Sequence, residues 1–135
     1  MIFLDANVPM YLVGAPHANR LLARALLNEL IAARQRLVTD AEVLQEIVHR
    51  YSALRRTEAL PEALQVARDL VDTIFPIAEA QVLRAAEIVR APLGLSARDA
   101  LHVAVMEQHG IHRIVTFDAA FDRWPGIERL PTGSA

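Results

Sequence analysis

Four acidic residues in this chain stand where a carboxylate could take part in chemistry. Asp5 follows a short apolar segment near the N-terminus, and Asp118 follows another near the C-terminus. Glu46 and Asp99 lie in segments with helical spacing, and Asp99 is near the start of the apolar stretch SARDALHVAV, residues 96–105. Carboxylate oxygens are the ligands that hard divalent cations such as Mg²⁺ and Mn²⁺ prefer. Whether the four side chains can meet depends on the elements that carry them.

Apolar segments of two kinds alternate along the chain. Strands are predicted at residues 2–5, 36–40, 73–77, 112–118 and 127–130. Helices are predicted after Asp5, at about 17–34, in the segment after residue 40, and at 60–72, 78–91 and 96–109. Thr39 and Glu42 have capping-box spacing and predict the start of the third helix. Pro76 suits the end of a strand or an edge strand.

This alternation is typical of βαβ crossovers. We therefore expect an α/β fold, with a mainly parallel central sheet of four to five strands flanked by helices on both faces. A chain of 135 residues, 53% hydrophobic and 5% aromatic, fits one domain with an aliphatic core. We assign residues 1–130 to that domain and residues 131–135 to a disordered tail.

Composition excludes several classes of protein. The chain has no cysteine, which rules out disulfides and thiolate sites. The N-terminus lacks the basic region of a secretory signal, and no apolar run approaches the roughly 20 residues needed to span a bilayer. We therefore expect a cytoplasmic protein with no membrane contact.

The basic residues are all of one type. The net charge is −2, and all 14 basic residues are Arg. Without Lys, the chain does not fit the receiver domains, which hold a phosphoryl group with a Lys. The aspartyl-phosphate phosphatases carry a second acid two residues after the first, where this chain has Asn7. Arg can hold a phosphate or a carboxylate with two donors at once, whereas Lys offers a point charge.

The predicted sheet brings the four acids to one edge. Ligands of open α/β sheets bind beyond the carboxyl ends of the strands, where Asp5 and Asp118 stand. The helix of Asp99 runs into the fourth strand, so its N-terminus lies at the same edge, and Glu46 is in the helix after the second strand. Each like-charged pair at ~4 Å costs about 4 kcal/mol at an effective dielectric near 20. The group therefore needs a proton, an Arg or a divalent cation.

Each acid also has a purely structural interpretation. Asp5 and Asp118 could cap the helices that follow them, and Asp99 could be the capping-box acid after Ser96. Glu46 could form an exposed ion pair with Arg50, one turn away. His102, one turn after Asp99, is expected to be a packed side chain with a local hydrogen bond rather than a functional residue.

The motifs LDANV, LQEIVHR, SARDALHVAV and TFDAAFDR, in this order and spacing, resemble those of the PIN-domain ribonucleases. In length and motif order the chain resembles the toxin of a VapBC toxin–antitoxin pair, over residues 2 to about 130. The resemblance implies a three-layer PIN-like sandwich and an endoribonuclease that uses one or two Mg²⁺ or Mn²⁺ ions. It implies that the catalytic and metal-binding acids are Asp5, Glu46, Asp99 and Asp118, with Glu46 acting directly or through water.

The resemblance also bears on neighbouring residues and partners. Asp122 matches a further metal-binding acid of some members, and Asn7 and Thr116 match small polar residues that support the acids. The implied partners are an RNA substrate, a VapB-like antitoxin, a second copy of the chain in a homodimer, and operator DNA bound only through the antitoxin. The candidates for holding the RNA backbone are Arg50, Arg55, Arg56 and Arg98. The alternative is a non-catalytic PIN-like module that binds RNA or protein through the same edge.

Overall fold

The computed structural model describes residues 1–131, a parallel sheet with helices on both faces. The strands are β1 (Ile2–Leu4), β2 (Leu37–Asp40), β3 (Thr73–Phe75), β4 (Arg113–Val115) and β5 (Glu128–Leu130). The α-helices are α1 (Asn7–Val13), α2 (Ala18–Ala32), α3 (Ala41–Ala53), α4 (Leu60–Leu70), α5 (Glu79–Arg90) and α6 (Ala97–Gln108). Short 3₁₀ helices cover Thr57–Ala59 and Ala119–Arg123. Of the predicted tail, residues 132–135 lie outside the described part.

All five strands run in the same direction, in the order β3-β2-β1-β4-β5. The register pairs Phe3 with Val38 and Leu4 with Val115, so β1, β2 and β4 end at the same edge. The predicted mainly parallel α/β sheet is confirmed. Strand β3 is at the edge of the sheet and ends one residue before Pro76, because proline has no N–H to donate to a ladder.

The sheet is buried on both faces. Side chains along each central strand alternate between two apolar clusters: Phe3 points into one cluster, and Ile2 and Leu4 into the other. The first cluster includes residues of α3 to α6, and the second is filled mainly by α2. Burial on both faces explains why the strands are continuous apolar segments rather than alternating ones. Within residues 1–131, no helix is both long and apolar enough to cross a membrane.

The start of α3 differs from the prediction. The cap is Asp40, whose Oδ1 accepts the backbone N–H of Val43 at 2.9 Å. Thr39 is still part of β2, and its hydroxyl donates to the carbonyl oxygen of Leu4 at 2.7 Å. The predicted capping box of Thr39 and Glu42 is therefore wrong by one residue, because the hydroxyl of Thr39 is used between strands.

The start of α6 agrees with the prediction. Ser96 is the N-cap, and its hydroxyl accepts the backbone N–H of Asp99 at 3.1 Å. Half of the helix is buried, which fixes its orientation on the sheet. The cap and the apolar face together direct the first turn of α6, and with it Asp99, toward the carboxyl edge.

Core packing generates a stability prediction with a matched control. Ile47 in α3 is fully buried, whereas Ile31 in α2 is 54% exposed. We expect Ile47→Ala to lower the free energy of unfolding by about 2–5 kcal/mol, because it removes buried methylenes and leaves a cavity. Ile31→Ala should change it by less than about 0.5 kcal/mol. Urea denaturation of both variants measures the difference, and equal losses would contradict the assignment of α3 to the core.

Candidate metal centre at the carboxyl edge

The four predicted acids are brought to one edge of the sheet by different elements. Asp5 directly follows β1, and Asp118 follows β4 after two residues. Glu46 comes from the second turn of α3, and Asp99 from the first turn of α6. A carboxylate oxygen of Asp5 lies within 4.8 Å of one of Glu46. Asp99 is close enough to Asp5 and Asp118 for their charges to raise its pKa.

Asp5 is a buried carboxylate that its neighbours hold firmly. Its Oδ1 accepts the N–H of Ala6 at 2.8 Å, and its Oδ2 accepts the hydroxyl of Thr116 at 2.7 Å. The Thr116 oxygen in turn accepts from the amide of Asn7 at 3.1 Å and from the N–H of Asp118 at 3.0 Å. The amide of Asn7 also lies 3.5 Å from Oδ2 of Asp5. The two predicted supporting residues, Asn7 and Thr116, thus both contact Asp5, and Thr116 links it to Asp118.

Asp99 is a carboxyl group whose charge is disfavoured. Burial and the negative charges of Asp5 and Asp118 raise its pKa from 3.8 to about 7. A hydrogen bond with Asp118, which only the protonated form of Asp99 can donate, acts in the same direction. The repulsion expected among converging carboxylates is thus partly relieved by a proton on Asp99.

Asp118 and Asp99 each lie at the start of a helix, as the structural interpretation proposed, and each also belongs to the acidic site. Oδ1 of Asp118 accepts the N–H of Ala120 at 2.9 Å, which caps the 3₁₀ helix Ala119–Arg123. Asp99 sits in the first turn of α6, where the helix dipole favours a negative charge. For both residues, the structural role positions the carboxyl group rather than competing with a chemical role.

His102 is the main surprise of the site. It is fully buried, and its Nδ1 donates to Oδ2 of Asp40 at 2.7 Å while its Nε2 donates to Oε1 of Glu46 at 2.7 Å. Nε2 is also 3.8 Å from Oδ1 of Asp5, and the ring packs on Phe3 with centroids 5.2 Å apart. The expected local hydrogen bond is wrong, because both partners lie on α3 and β2, far away in the sequence.

The two carboxylates make His102 a cation. Carboxylates only accept hydrogen bonds, so both ring nitrogens carry protons when both acids are ionised. Burial disfavours the charged ring, but the hydrogen bonds to Asp40 and Glu46 and the charges of Asp40 and Asp5 outweigh it and hold the pKa of His102 well above its usual value. The resulting charge also opposes the effect of burial on Asp5, whose pKa is still raised.

The remaining acids near the edge have other partners. Glu46 bonds His102 instead of forming the ion pair with Arg50 that its spacing suggested. Both oxygens of Asp122 accept from Arg129, at 3.0 and 3.1 Å, so this carboxylate is held in an exposed ion pair. The metal role of Asp122 stays a prediction. Glu42, which we treated only as a capping residue, has a pKa raised by burial and by Glu46 one turn along α3.

A groove of about 660 Å³ shares part of its wall with the acidic site. Glu46 and Asn7 line it, as do α1, the loop after α1, and the face of α3 that carries His49 and Arg50. Tyr11 lines the same groove and packs edge to face on Phe117. The groove is therefore partly aromatic and opens directly beside the carboxylates.

Three of the four arginines singled out from the sequence line this groove. They are Arg50, Arg56 and Arg98, all exposed, whereas Arg55 does not belong to its wall. Nε of Arg56 lies 2.9 Å from Oε1 of Glu58, and Nε of Arg98 lies 3.9 Å from Oε1 of Glu42. Exposed pairs of this kind contribute little to stability, so these guanidinium groups can exchange their partners for phosphates.

Two members of the site escaped sequence reasoning. Asp40 is the last residue of the predicted strand 36–40 and was given no role, and His102 was interpreted as a packing residue. One signal was present: His102 is flanked by the apolar residues of ALHVAV, and a histidine must find polar partners when it is buried among such residues. Its position three residues after Asp99 placed it on the same face, toward the acids. Which acids it meets depends on β2 lying beside β1, and the local pattern does not contain that information.

Comparison with known proteins agrees with this architecture. The PIN domain family matches residues 2–127. The chain is 50% identical to ribonuclease VapC13 of Mycobacterium tuberculosis over 130 residues, covering 96% of this chain and 99% of that protein. It is 42% identical to ribonuclease VapC23 of the same organism over 118 residues, covering 87% of this chain and 93% of the relative.

Solved structures share the fold at lower identity. The crystal structure of VapC20 of M. tuberculosis, a sarcin-ricin loop cleaving toxin, superimposes with a TM-score of 0.77 at 24% identity, covering 95% of this chain and 98% of that one. VapBC2 of Rickettsia felis, bound to a DNA fragment from its promoter, gives 0.73 at 18% identity, covering 96% and 97%. The fold, the family match and the close relatives agree: this chain belongs to the PIN domain family, among the VapC ribonucleases.

Proposed function

We propose that this chain is a metal-dependent endoribonuclease and the toxin of a type II toxin–antitoxin pair. The observation that carries the proposal is the meeting of Asp5, Glu46, Asp99 and Asp118 at the carboxyl edge of the sheet. Its PIN-family relatives are named ribonucleases, which supports the same reaction here. The four acids come from separate elements, so their convergence is a property of the fold as a whole.

The donor set at this edge fits a hard divalent cation. Oxygen ligands in a partly buried acidic group suit Mg²⁺ or Mn²⁺, and the repulsion that protonates Asp99 is what a cation would relieve. We assign Asp5, Asp99 and Asp118 to one or two such ions, with Glu46 as a direct or water-mediated ligand. When bound, the metal would acidify a water molecule and neutralise charge on a phosphodiester.

The chain itself prepares the acids for that task. Thr116 and Asn7 hold Asp5 in one orientation, and the same hydroxyl fixes the backbone of Asp118. The apolar face and N-cap of α6 hold Asp99 at the edge. We propose that Asn7 and Thr116 are supporting residues, because a metal site loses affinity when the groups behind its ligands are free to rotate.

The groove beside the acids is the proposed path of the RNA strand. Its wall carries Arg50, Arg56 and Arg98, which suit a polyanion, and Tyr11, whose ring offers a surface on which a base can stack. Glu46 lies on both the groove and the acidic site, so a strand in the groove would present a phosphate to the metal. Arg55 remains a candidate contact outside the groove wall.

A non-catalytic RNA- or protein-binding module is the competing function, and it is not favoured. A surface that only binds RNA would gain affinity by replacing acids with bases, because the phosphate backbone dominates such affinity. Here Asp5 and Glu46 are held in place by hydrogen bonds from Thr116 and His102. Metal-dependent cleavage separates the two functions directly.

Partners and location are inferred from the relatives. Several solved neighbours are toxin–antitoxin complexes, such as VapBC2 of R. felis with its promoter fragment. We propose a VapB-like antitoxin as the partner of this chain, with operator DNA contacted only through that antitoxin. We further propose a homodimer that works in the cytoplasm on an RNA substrate.

The central prediction concerns Asp99. Asp99→Asn should lower kcat/KM for RNA cleavage in Mg²⁺ by more than about 100-fold, since even residues behind a metal ligand cost 10–100-fold. EDTA should abolish cleavage by the unchanged chain. Asp72→Asn is the matched control, because Asp72 is exposed and precedes β3 at the opposite edge. Cleavage by the Asp99 variant at the rate of the control would refute the assignment.

A second prediction concerns pH. The raised pKa of Asp99, about 7, means that the native state binds this proton more tightly than the unfolded chain. The contribution of this proton to the free energy of unfolding is therefore complete below about pH 4, and it is lost as the pH rises through about 7. In EDTA, the Tm of Asp99→Asn minus that of the unchanged chain should increase from about pH 5 to about pH 8. A difference independent of pH would contradict the raised pKa.

The same proton should compete with the metal. Because a ligand must lose its proton to bind a cation, the rise in Tm caused by Mn²⁺ should grow over this pH range in the unchanged chain. Thermal melts with and without Mn²⁺ measure it, and a Mn²⁺ effect that shrinks toward high pH would exclude Asp99 as a ligand.

A third prediction tests the groove. Arg50→Ala, made in the Asp99→Asn background to prevent cleavage, should weaken binding of single-stranded RNA. The slope of log K against log salt should fall in magnitude by about 0.7, the value for one lost phosphate contact. Arg68→Ala is the control, since Arg68 is exposed in the last turn of α4, next to the opposite edge. Fluorescence anisotropy over a salt series decides it, and equal slopes for both variants would rule out the groove.

A further inference from the structure

A chain of three polar side chains crosses the core behind the acidic edge. Asp40 at the end of β2 accepts from His102 of α6, and His102 donates to Glu46 of α3, both at 2.7 Å. Asp40 and His102 are fully buried, and the side chain of Glu46 is 14% exposed. Helix α6 is therefore joined at one point to β2 and α3, which follow each other in the sequence and lie 62 and 56 residues before His102 at these contacts. The chain of side chains ends on Glu46, a residue of the proposed metal centre.

The far end of this chain is fixed by the fold. Oδ1 of Asp40 accepts the N–H of Val43 as the cap of α3, which leaves Oδ2 for His102. Asp40 is also the last residue of β2, so its backbone belongs to the sheet. With both oxygens committed, Asp40 serves to orient the imidazole rather than to bind an ion. The ring is further confined by Phe3 beneath it.

The near end determines where Glu46 points. Nε2 of His102 holds Oε1 of Glu46, and the same nitrogen is 3.8 Å from Oδ1 of Asp5. A glutamate side chain has three rotatable bonds, so it would be mobile if it extended from α3 into solvent. Here one oxygen is held beside Asp5, and the other oxygen of the same carboxylate is left for a cation or its water.

We propose that His102 is a positioning residue of the metal centre: anchored by Asp40, it holds Glu46 beside Asp5 in the orientation that the cation needs. The inference rests on the proposed function, because it assigns a task to the groups behind that metal site. Carboxylates that ligate metals are typically held by hydrogen bonds from groups behind them, and loss of such a group lowers metal affinity.

Two other roles are possible for His102 and give different results. As a direct metal ligand, or as a residue that only stabilises the fold, His102 would still contribute to Mn²⁺ affinity or to folding after Glu46 is removed. As a positioning residue it acts through Glu46, so its removal has no further effect once Glu46 is gone. A double-mutant cycle separates these cases, because only coupled residues give non-additive effects.

The experiment uses the full chain and Mn²⁺ alone, with free Mn²⁺ measured by its electron paramagnetic resonance signal. His102→Gln and Glu46→Ala should each weaken Mn²⁺ binding by about 10-fold or more. The double variant should bind within about 2-fold of Glu46→Ala, which is the signature of coupling. His109→Gln is the matched control, since His109 stacks on Phe75 at the other end of α6 and should leave Mn²⁺ affinity unchanged.

The opposing results are equally definite. Losses that multiply in the double variant, or a His102→Gln protein that binds Mn²⁺ like the unchanged chain, overturn the proposal. If His102→Gln does not fold by circular dichroism, Asp40→Asn takes its place in the cycle, because Asn keeps the cap of α3 and disturbs only the bond to the ring.

The Mn²⁺ measurement also separates this proposal from the proposed function. Coupling in Mn²⁺ affinity without RNA cleavage by the unchanged chain would leave His102 in its role and refute the ribonuclease. RNA cleavage together with additive losses of Mn²⁺ affinity would support the ribonuclease and refute the positioning role of His102.

Discussion

The hydrogen-bonded cation of His102 between Asp40 and Glu46 is the interaction on which the acidic edge depends. Buried carboxylates are costly unless they are paired and hydrogen-bonded, and this edge collects several of them from four elements. An imidazolium with one carboxylate on each nitrogen lowers that cost without an external ion. Because the ring also lies 3.8 Å from Asp5, a single charge acts on three acids. The acids can therefore be assembled without a bound cation.

Helix α6 supplies this charge and one of the acids together. Asp99 and His102 are three residues apart and share a face of the helix, and the buried residues around His102 anchor it in the core. The apolar composition of SARDALHVAV thus has a chemical purpose, since a helix packed on several sides holds its two polar groups with little freedom. The N-cap Ser96 fixes the first turn, and the position of Asp99 follows from it.

Local rules were sufficient for much of this fold, and they failed where contacts are distant. The five strands and the convergence of Asp5, Glu46, Asp99 and Asp118 follow from periodicity and from the rule for carboxyl ends of parallel strands. The predicted cap of α3 was wrong by one residue because the hydroxyl of Thr39 donates to the carbonyl oxygen of Leu4 in β1. The contacts of His102 with Asp40 and Glu46 were missed because they depend on the strand order β3-β2-β1-β4-β5. Local sequence patterns indicate that His102 is buried, but they do not indicate which residues it contacts.

The repulsion among the carboxylates at this edge is relieved in two physically different ways. At the inner end, where Asp40 and His102 are fully buried, the compensating charge is the imidazolium of the chain itself, whose pKa the neighbouring carboxylates hold well above its usual value. At the open outer end, Asp118 is exposed and Asp99 carries a proton that a pKa of about 7 makes easy to remove near neutral pH. A cation that displaces this proton enters a site whose inner half is already neutralised and oriented. The charge on His102 therefore orients the inner acids, and the proton on Asp99 lies where we propose that a cation binds.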